Sequence, residues 1–343
     1  MSALISNNCK SCWRLIRVSA FLICTLAMLA PAIADEYEGV VVVAPFDAPH
    51  WPEGLTIDKR GNMYVTQGAP FWFAPSDGWI QKISPDGTEI EDLAFFAGGQ
   101  GPAGIVVNAR GEVFFAWPNP GNPANGVYQL HDGGSTERLW GSENIILANG
   151  LALDNHGNLF VSDSAIGAVW RVPVDGSAPA QIWSYGSSLG GCVAGDVGAN
   201  GVAIWNDSVY VANTFKGLLV RIPILDDGSA GQAEVVAGDD TNGCDFDELF
   251  GMDGIALDVH GMVYALLVLQ DKLVRIDPSD GSFEVLLTGA DGLHNPASIA
   301  FGTGKGDRQS VFIANFALFP PGPESLGPAV LKYDVGVPGL PLP

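Results

Sequence analysis

Hydrophobic and polar positions along this chain change in short runs, with Leu159 and Val161 on one face of such a run and Phe160 and Ser162 on the other. That period of two predicts strands, and turns rich in Gly, Asp or Asn close each run. One composite pattern, strand then turn then strand, recurs six times. The copies read PEGLTIDKRGNMYVTQG from Pro52, GPAGIVVNARGEVFFAW from Gly101, ANGLALDNHGNLFVSDS from Ala148, ANGVAIWNDSVYVANT from Ala199, MDGIALDVHGMVYALL from Met252 and PASIAFGTGKGDRQSVFIANF from Pro296. Their anchor positions, Gly54, Gly104, Gly150, Gly201, Gly254 and Ser298, lie 50, 46, 51, 53 and 44 residues apart. Four copies add a third strand ending at an Asp-Gly turn, as in WIQKISPDG from Trp79 and KLVRIDPSDG from Lys272, and a fourth such as FEVLLTG from Phe283 follows.

Four short antiparallel strands per unit at this period predict an all-β fold, a six-bladed β-propeller occupying residues 35–343 as one domain. A β-sandwich does not account for the same anchor at a fixed period six times. The sixth copy ends in a single strand, residues 329–335, whereas residues 39–44 offer a loose strand before the first anchor. The N-terminal strand is therefore expected to complete the sixth blade and close the ring, which removes an exposed edge.

In such a ring the first strand of each blade lines the central channel, and the residue before each anchor sits at one mouth. That column reads Glu53, Ala103, Asn149, Asn200, Asp253 and Ala297. Four oxygen-bearing side chains from four blades thus converge on the axis, and strand propensity gives no reason for Asn or Asp there. Two carboxylates and two amides suit a hard cation. Calcium takes six to eight oxygens, and the vacancy beside Ala103 leaves room for water or substrate. Zinc would call for His or Cys; magnesium asks for a smaller, stricter octahedron. The plainer alternative is that these groups cap strands or bind channel water.

Composition adds the compartment. Lys10, Arg14 and Arg17 precede an apolar stretch over residues 18–30, and Ala32-Ile33-Ala34 offers a small-x-small cleavage site, so residues 1–34 read as a signal peptide. The mature protein is expected in the periplasm or outside the cell, without a membrane span. Losing the three basic residues of the leader takes the net charge from −22 to −25, which argues against nucleic acid and anionic membranes and favours cations. A small-molecule substrate and a monomer are the expectations. Cys192 and Cys244 remain after cleavage, and an even number in an oxidising compartment predicts a disulfide, two buried free thiols being the alternative. They occupy corresponding loops of adjacent blades, shortly before Asn200 and Asp253.

Pro52-Glu53-Gly54, the Asn-Gly pairs at Asn149 and Asn200, and Asp253-Gly254 resemble the calcium-binding set of six-bladed hydrolases: the senescence-marker-protein/gluconolactonase family, the paraoxonases and diisopropylfluorophosphatase. The order Glu, Asn, Asn, Asp over blades one, three, four and five is most similar to the last two. The resemblance implies one catalytic Ca²⁺ held by Glu53, Asn149, Asn200 and Asp253, acting as a Lewis acid on a lactone carbonyl or phosphoryl oxygen. It also implies a second role for Asp253 as nucleophile or general base, with Glu53 beside it in the catalytic set. Where some relatives hold a second, buried calcium, this chain has Ala256 and Ala300, so that second site is not expected. A non-catalytic binding module and a lyase on the same fold are the competing readings.

Substrate choice would fall to the rim loops. Residues 68–79 bring Phe71, Trp72 and Phe73 together, either as an apolar wall over the mouth or as packing between blades. Trp117 in the blade-two insertion carries the same ambiguity. His50 and His294 stand near rim loops as possible proton shuttles or merely solvated side chains. Asp163, Asn213 and Asn315 end second strands, either as turn formers or as groups that touch substrate.

Overall fold

The computed structural model describes residues 39–343 apart from residues 48, 69–75, 100, 242–243, 245 and 320–323. The leader reading therefore lies outside the described residues. Six four-stranded antiparallel sheets are present among those described. Blade one is typical: Pro52–Ile57, Met63–Gln67, Ser76–Ile83 and Ile90–Gly99 follow one another outward from the axis. The inner strands of blades two to six are Ile105–Val107, Ala148–Leu153, Ala199–Trp205, Met252–Leu257 and Pro296–Phe301. Each packs against the inner strands of the blades on either side, and the sixth returns to the first. The outer strand of the sixth sheet is Val40–Pro45, paired antiparallel with Ala329–Asp334. No helix among the described residues is long and apolar enough to cross a membrane.

The anchor glycines have a steric cause. A Cβ on Gly150 or Gly201 would collide with the carbonyl oxygen of Asn200 or Asp253, the mouth residue of the next blade, and the same clash recurs at Gly54, Gly104 and Gly254. Only a residue without a side chain lets adjacent inner strands approach this closely. Hydroxyls fasten the joints. Thr66 Oγ1 accepts the Gly54 N–H (2.7 Å) and donates to the Ala103 carbonyl (2.6 Å). Ser162 Oγ does the same between Gly150 N (2.8 Å) and the Asn200 carbonyl (2.6 Å). In blade six Ser298 stands at the anchor position, and its hydroxyl accepts the N–H of Leu55 from blade one (3.2 Å).

Turns at the far end are fixed by their first residue. Asp58 accepts the N–H groups of Arg60 and Asn62, Asp154 those of His156 and Asn158, and Asp258 those of His260 and Met262. These Asx interactions explain the recurring Asp-x-x-Gly pattern. Blade four departs from it: Asn206 and Asp207 take up positive φ (44° and 53°) in a two-residue hairpin where the other copies use Gly.

The core lies between blades. Leu55, Ile57, Met63 and Val65 of blade one, for example, pack on Phe312, Ala314 and Val330 of blade six and on Ala44 of the N-terminal strand. Residues 337–343 cross the far end of the channel. Val259 N donates to the Pro338 carbonyl (3.0 Å) and Ala109 N to that of Pro343 (2.8 Å). Leu340 joins the apolar cluster of blade five and Leu342 that of blades one and two.

Candidate active site at the channel mouth

Strand register settles which end of the channel matters. The inner strands begin at the near mouth, where Pro52 pairs with Gln67, Ala148 with Asp163, Ala199 with Asn213 and Met252 with Leu267. Glu53, Asn149, Asn200 and Asp253 each follow one of those first residues and so arrive at one level. They line a common cavity of about 80 Å³ together with the anchor glycines, Ala297 and Ser298. That is room for a cation and a few waters. Glu53, Asn149 and Asp253 are half-buried because they face the channel void, and Asn200 is buried. The larger cavity, about 1020 Å³, opens at the far end and is lined by turn residues such as Asn155 and Asp227 and by residues 340–343. Ala256 and Ala300 also line it and bring only methyl groups. The larger space carries charged turn residues such as Asp154, Asp207 and Arg171, whereas the four oxygen-bearing mouth residues all line the smaller one.

The charge there is held under stress. Burial lifts the Glu53 carboxyl to about 7. Asp253 is pushed well above the ordinary carboxylate range, first by burial and then by the neighbouring Glu53, while a hydrogen bond from Asn200 acts in the opposite direction. Two carboxylates side by side with no cationic side chain to neutralise them hold protons or wait for a cation. The amides are oriented to suit. Asn149 Nδ2 donates to Ser164 Oγ (3.2 Å) and Asn200 Nδ2 to Thr214 Oγ1 (3.0 Å), which turns both Nδ2 groups toward the hydroxyls. The donor set is all oxygen, two carboxylates and two amides, and among the described residues no three His, Cys, Asp or Glu side chains gather as a metal site. This chemistry fits a hard cation such as calcium, for which Glu53, Asn149, Asn200 and Asp253 are the candidate ligands.

A pH dependence follows. The folded chain binds a proton on Glu53 more tightly than the unfolded chain does. Its contribution to stability is therefore complete below the unfolded carboxyl value and is lost as pH rises through about 7. Metal-free protein should be more stable at pH 5 than at pH 8 in thermal unfolding. Glu53→Gln should flatten part of that difference, with Asp253 carrying the rest; an unchanged difference would remove Glu53 as a source.

Other candidate residues are distributed unevenly. Trp72 and Phe73 lie outside the described residues, as does Phe71. Trp117 packs edge-on against Phe96 (4.7 Å between centroids) and near Tyr128, within the apolar cluster of blades one and two. The His50 ring sits 4.5 Å from that of Trp79. His294 is 8 % exposed, with Nδ1 3.1 Å from Ser325 Oγ and its N–H donated to Asn315 Oδ1, and it does not line the cavity of the four oxygens. Asp163, Asn213 and Asn315 are fully buried and tie rim loops together. Asp163 accepts the N–H groups of Ile146 and Leu147, and Asn213 donates to the carbonyls of Ser188 and Gly190. They serve as loop anchors, with no face left for substrate.

Cys192 and Cys244 are joined in a disulfide, Cα atoms 5.8 Å apart, between the loops that lead into blades four and five. Beside it, Phe246 (71 % exposed) lies 4.1 Å from Phe250, which meets Phe215 edge-on at 5.8 Å. This aromatic group on the rim was not singled out from the sequence, because Phe215 comes from a different loop than Phe246 and Phe250. Ser164 and Thr214 were missed too. Their signal is a hydroxyl residue directly after the second strand in Asp163-Ser164 and Asn213-Thr214.

No protein-family model matches the sequence, and no curated protein matches it. Solved structures do. A luciferin-regenerating enzyme superposes with a TM-score of 0.65 at 15 % identity, over 88 % of this chain and 97 % of its own. A gluconolactonase from Xanthomonas campestris gives 0.60 at 16 % identity, over 88 % and 89 %. This chain shares their six-bladed propeller fold. Virginiamycin B lyase from Staphylococcus aureus also shares the propeller, with a TM-score of 0.53 at 14 % identity over 87 % and 88 %. At such identities the likeness speaks for the propeller architecture, and the chemistry must be argued from the mouth residues themselves.

Proposed function

We propose that the chain is an exported, calcium-dependent hydrolase of lactones, esters or related phosphoesters, working at the near mouth of the propeller. The observation that carries this reading is the convergence of Glu53, Asn149, Asn200 and Asp253 on one small cavity, with both carboxylates raised and each amide nitrogen held by a buried hydroxyl. Bound there, calcium supplies a Lewis acid for the carbonyl or phosphoryl oxygen of the substrate. Asp253, which faces the cavity beside Glu53, is the candidate base. Its carboxylate oxygen would take the proton of the attacking water and pass it to the leaving oxygen as that bond breaks. Glu53 supplies the second negative charge, and the amides of Asn149 and Asn200 add neutral oxygens, so the site accepts a divalent ion without excess charge. The gluconolactonase and luciferin-regenerating neighbours support an enzyme on this fold.

A lyase is the second reading, favoured by the virginiamycin B lyase likeness and by His294, whose imidazole meets Ser325 and whose backbone N–H is donated to Asn315 near the same end. A panel of lactones, aryl esters and phosphotriesters, assayed with and without chelator, separates the readings. The hydrolase reading expects turnover that chelation abolishes and calcium restores. Turnover that chelator leaves untouched, or calcium-loaded protein inert across the panel, would overturn it.

A further inference from the structure

We infer that Ser164 and Thr214 are positioning residues that fix the polarity of the two amides and so make the mouth selective for a cation; the inference rests on the cation reading above. Proton counting carries it. A hydroxyl has one proton to give. Ser164 gives its proton to the Ala199 carbonyl (2.6 Å), and Thr214 gives its own to the Met252 carbonyl (2.8 Å). Toward Asn149 and Asn200 each hydroxyl is left only a lone pair, so it can accept but not donate. The amide must present Nδ2 to it, as it does at 3.2 and 3.0 Å. A flipped amide would set Oδ1 against a hydroxyl oxygen with no proton between them. Both hydroxyls are buried, Ser164 at 0 % and Thr214 at 4 % exposure, so water does not relieve that repulsion. Each Oδ1 is thereby kept on the side away from its hydroxyl and free to accept.

A second observation points the same way. Strand register places one residue per blade in the position after the second strand, and these are Gly68, Pro118, Ser164, Thr214, Val268 and Phe316. Hydroxyls stand there only in blades three and four, the two whose mouth residue is an amide. Blades one and five carry carboxylates, whose two oxygens are equivalent and need no orientation, and they have Gly68 and Val268 instead. The carbonyls that take the hydroxyl protons belong to Ala199 and Met252, the residues just before Asn200 and Asp253. One hydrogen-bonded chain thus runs from Asn149 through Ser164 to the backbone beside Asn200, and from Asn200 through Thr214 to the backbone beside Asp253.

The test is calorimetric titration of metal-free protein with Ca²⁺, backed by Tb³⁺ luminescence. Thr214→Val keeps the shape and removes the acceptor, so affinity should fall about 10–100-fold, the range for an outer partner of a metal ligand. Thr214→Ser should restore it. Ser164→Ala provides an independent arm should the valine variant fail to fold. In an Asn200→Asp background the same Thr214→Val change should cost nothing, since a carboxylate has no wrong face. Equal affinity in wild type and both single variants, or an equal loss in both backgrounds, would overturn the positioning role. A wild-type protein that binds neither ion would instead overturn the cation reading itself.

Discussion

Replacing Asp253 by Asn should strip the mouth of its cation and at the same time stabilise the metal-free fold. The side chain keeps its shape and still faces Asn200, but it no longer carries a charge that burial and Glu53 oppose. Loss of one of only two anionic ligands should weaken Ca²⁺ binding by more than the about 10–100-fold expected of an outer partner. The melting temperature of the metal-free variant should rise above that of wild type, most clearly above pH 7, where the Asp253–Glu53 repulsion is fullest. Structural residues rarely show opposite signs for binding and stability, whereas a functional site that stores unfavourable charge does. Paired calorimetric titration and thermal unfolding read both quantities. Retained affinity would show that Asp253 is no ligand, and a lowered melting temperature would show that its carboxylate serves the fold.

Deleting residues 39–45 should have the largest effect on stability. The segment is the outer strand of the sixth blade, and its removal leaves the backbone groups of Ala329–Asp334 unpaired along an open edge. It also strips apolar contacts, since Ala44 is fully buried and Val40, Val42 and Val43 pack on the clusters of blades five, six and one. The valines are half-buried, so each contributes less than the about 1.5–3 kcal/mol of a fully buried aliphatic side chain, but together with the lost strand pairing the loss is a substantial part of a total stability of about 5–15 kcal/mol. The shortened chain should melt far below the intact one and elute as aggregate in size-exclusion chromatography. A monomer with unchanged melting would show that the strand is dispensable.

What the sequence made legible follows from how the ring is built. The anchor column was visible because five inner strands press a glycine against a neighbouring carbonyl, a demand that only one residue type meets. The mouth residues were legible for the same reason: they precede that glycine, and strand register carries them to one level. Ser164 and Thr214 were not, because a Ser or Thr after a strand is ordinary turn chemistry until its hydrogen bonds are traced. Asp163, Asn213 and Asn315 looked equally able to touch substrate or shape loops, and only their full burial and backbone partners assign them to the loops. Residues 337–343 gave no signal at all. They have neither strand period nor turn motif, and their contacts are with blades distant in sequence. Nor did the rim aromatics, since Phe215 meets Phe250 and its loop neighbour Phe246 only once the chain has folded.

Titrating Ca²⁺ into chelator-treated protein tests most directly whether the near mouth holds a calcium ion. One ion should bind per chain and raise thermal stability, and both effects should be lost in Glu53→Gln and Asp253→Asn. Folded wild-type protein that takes up no calcium, or uptake that is equally good in those two variants, would contradict the calcium reading.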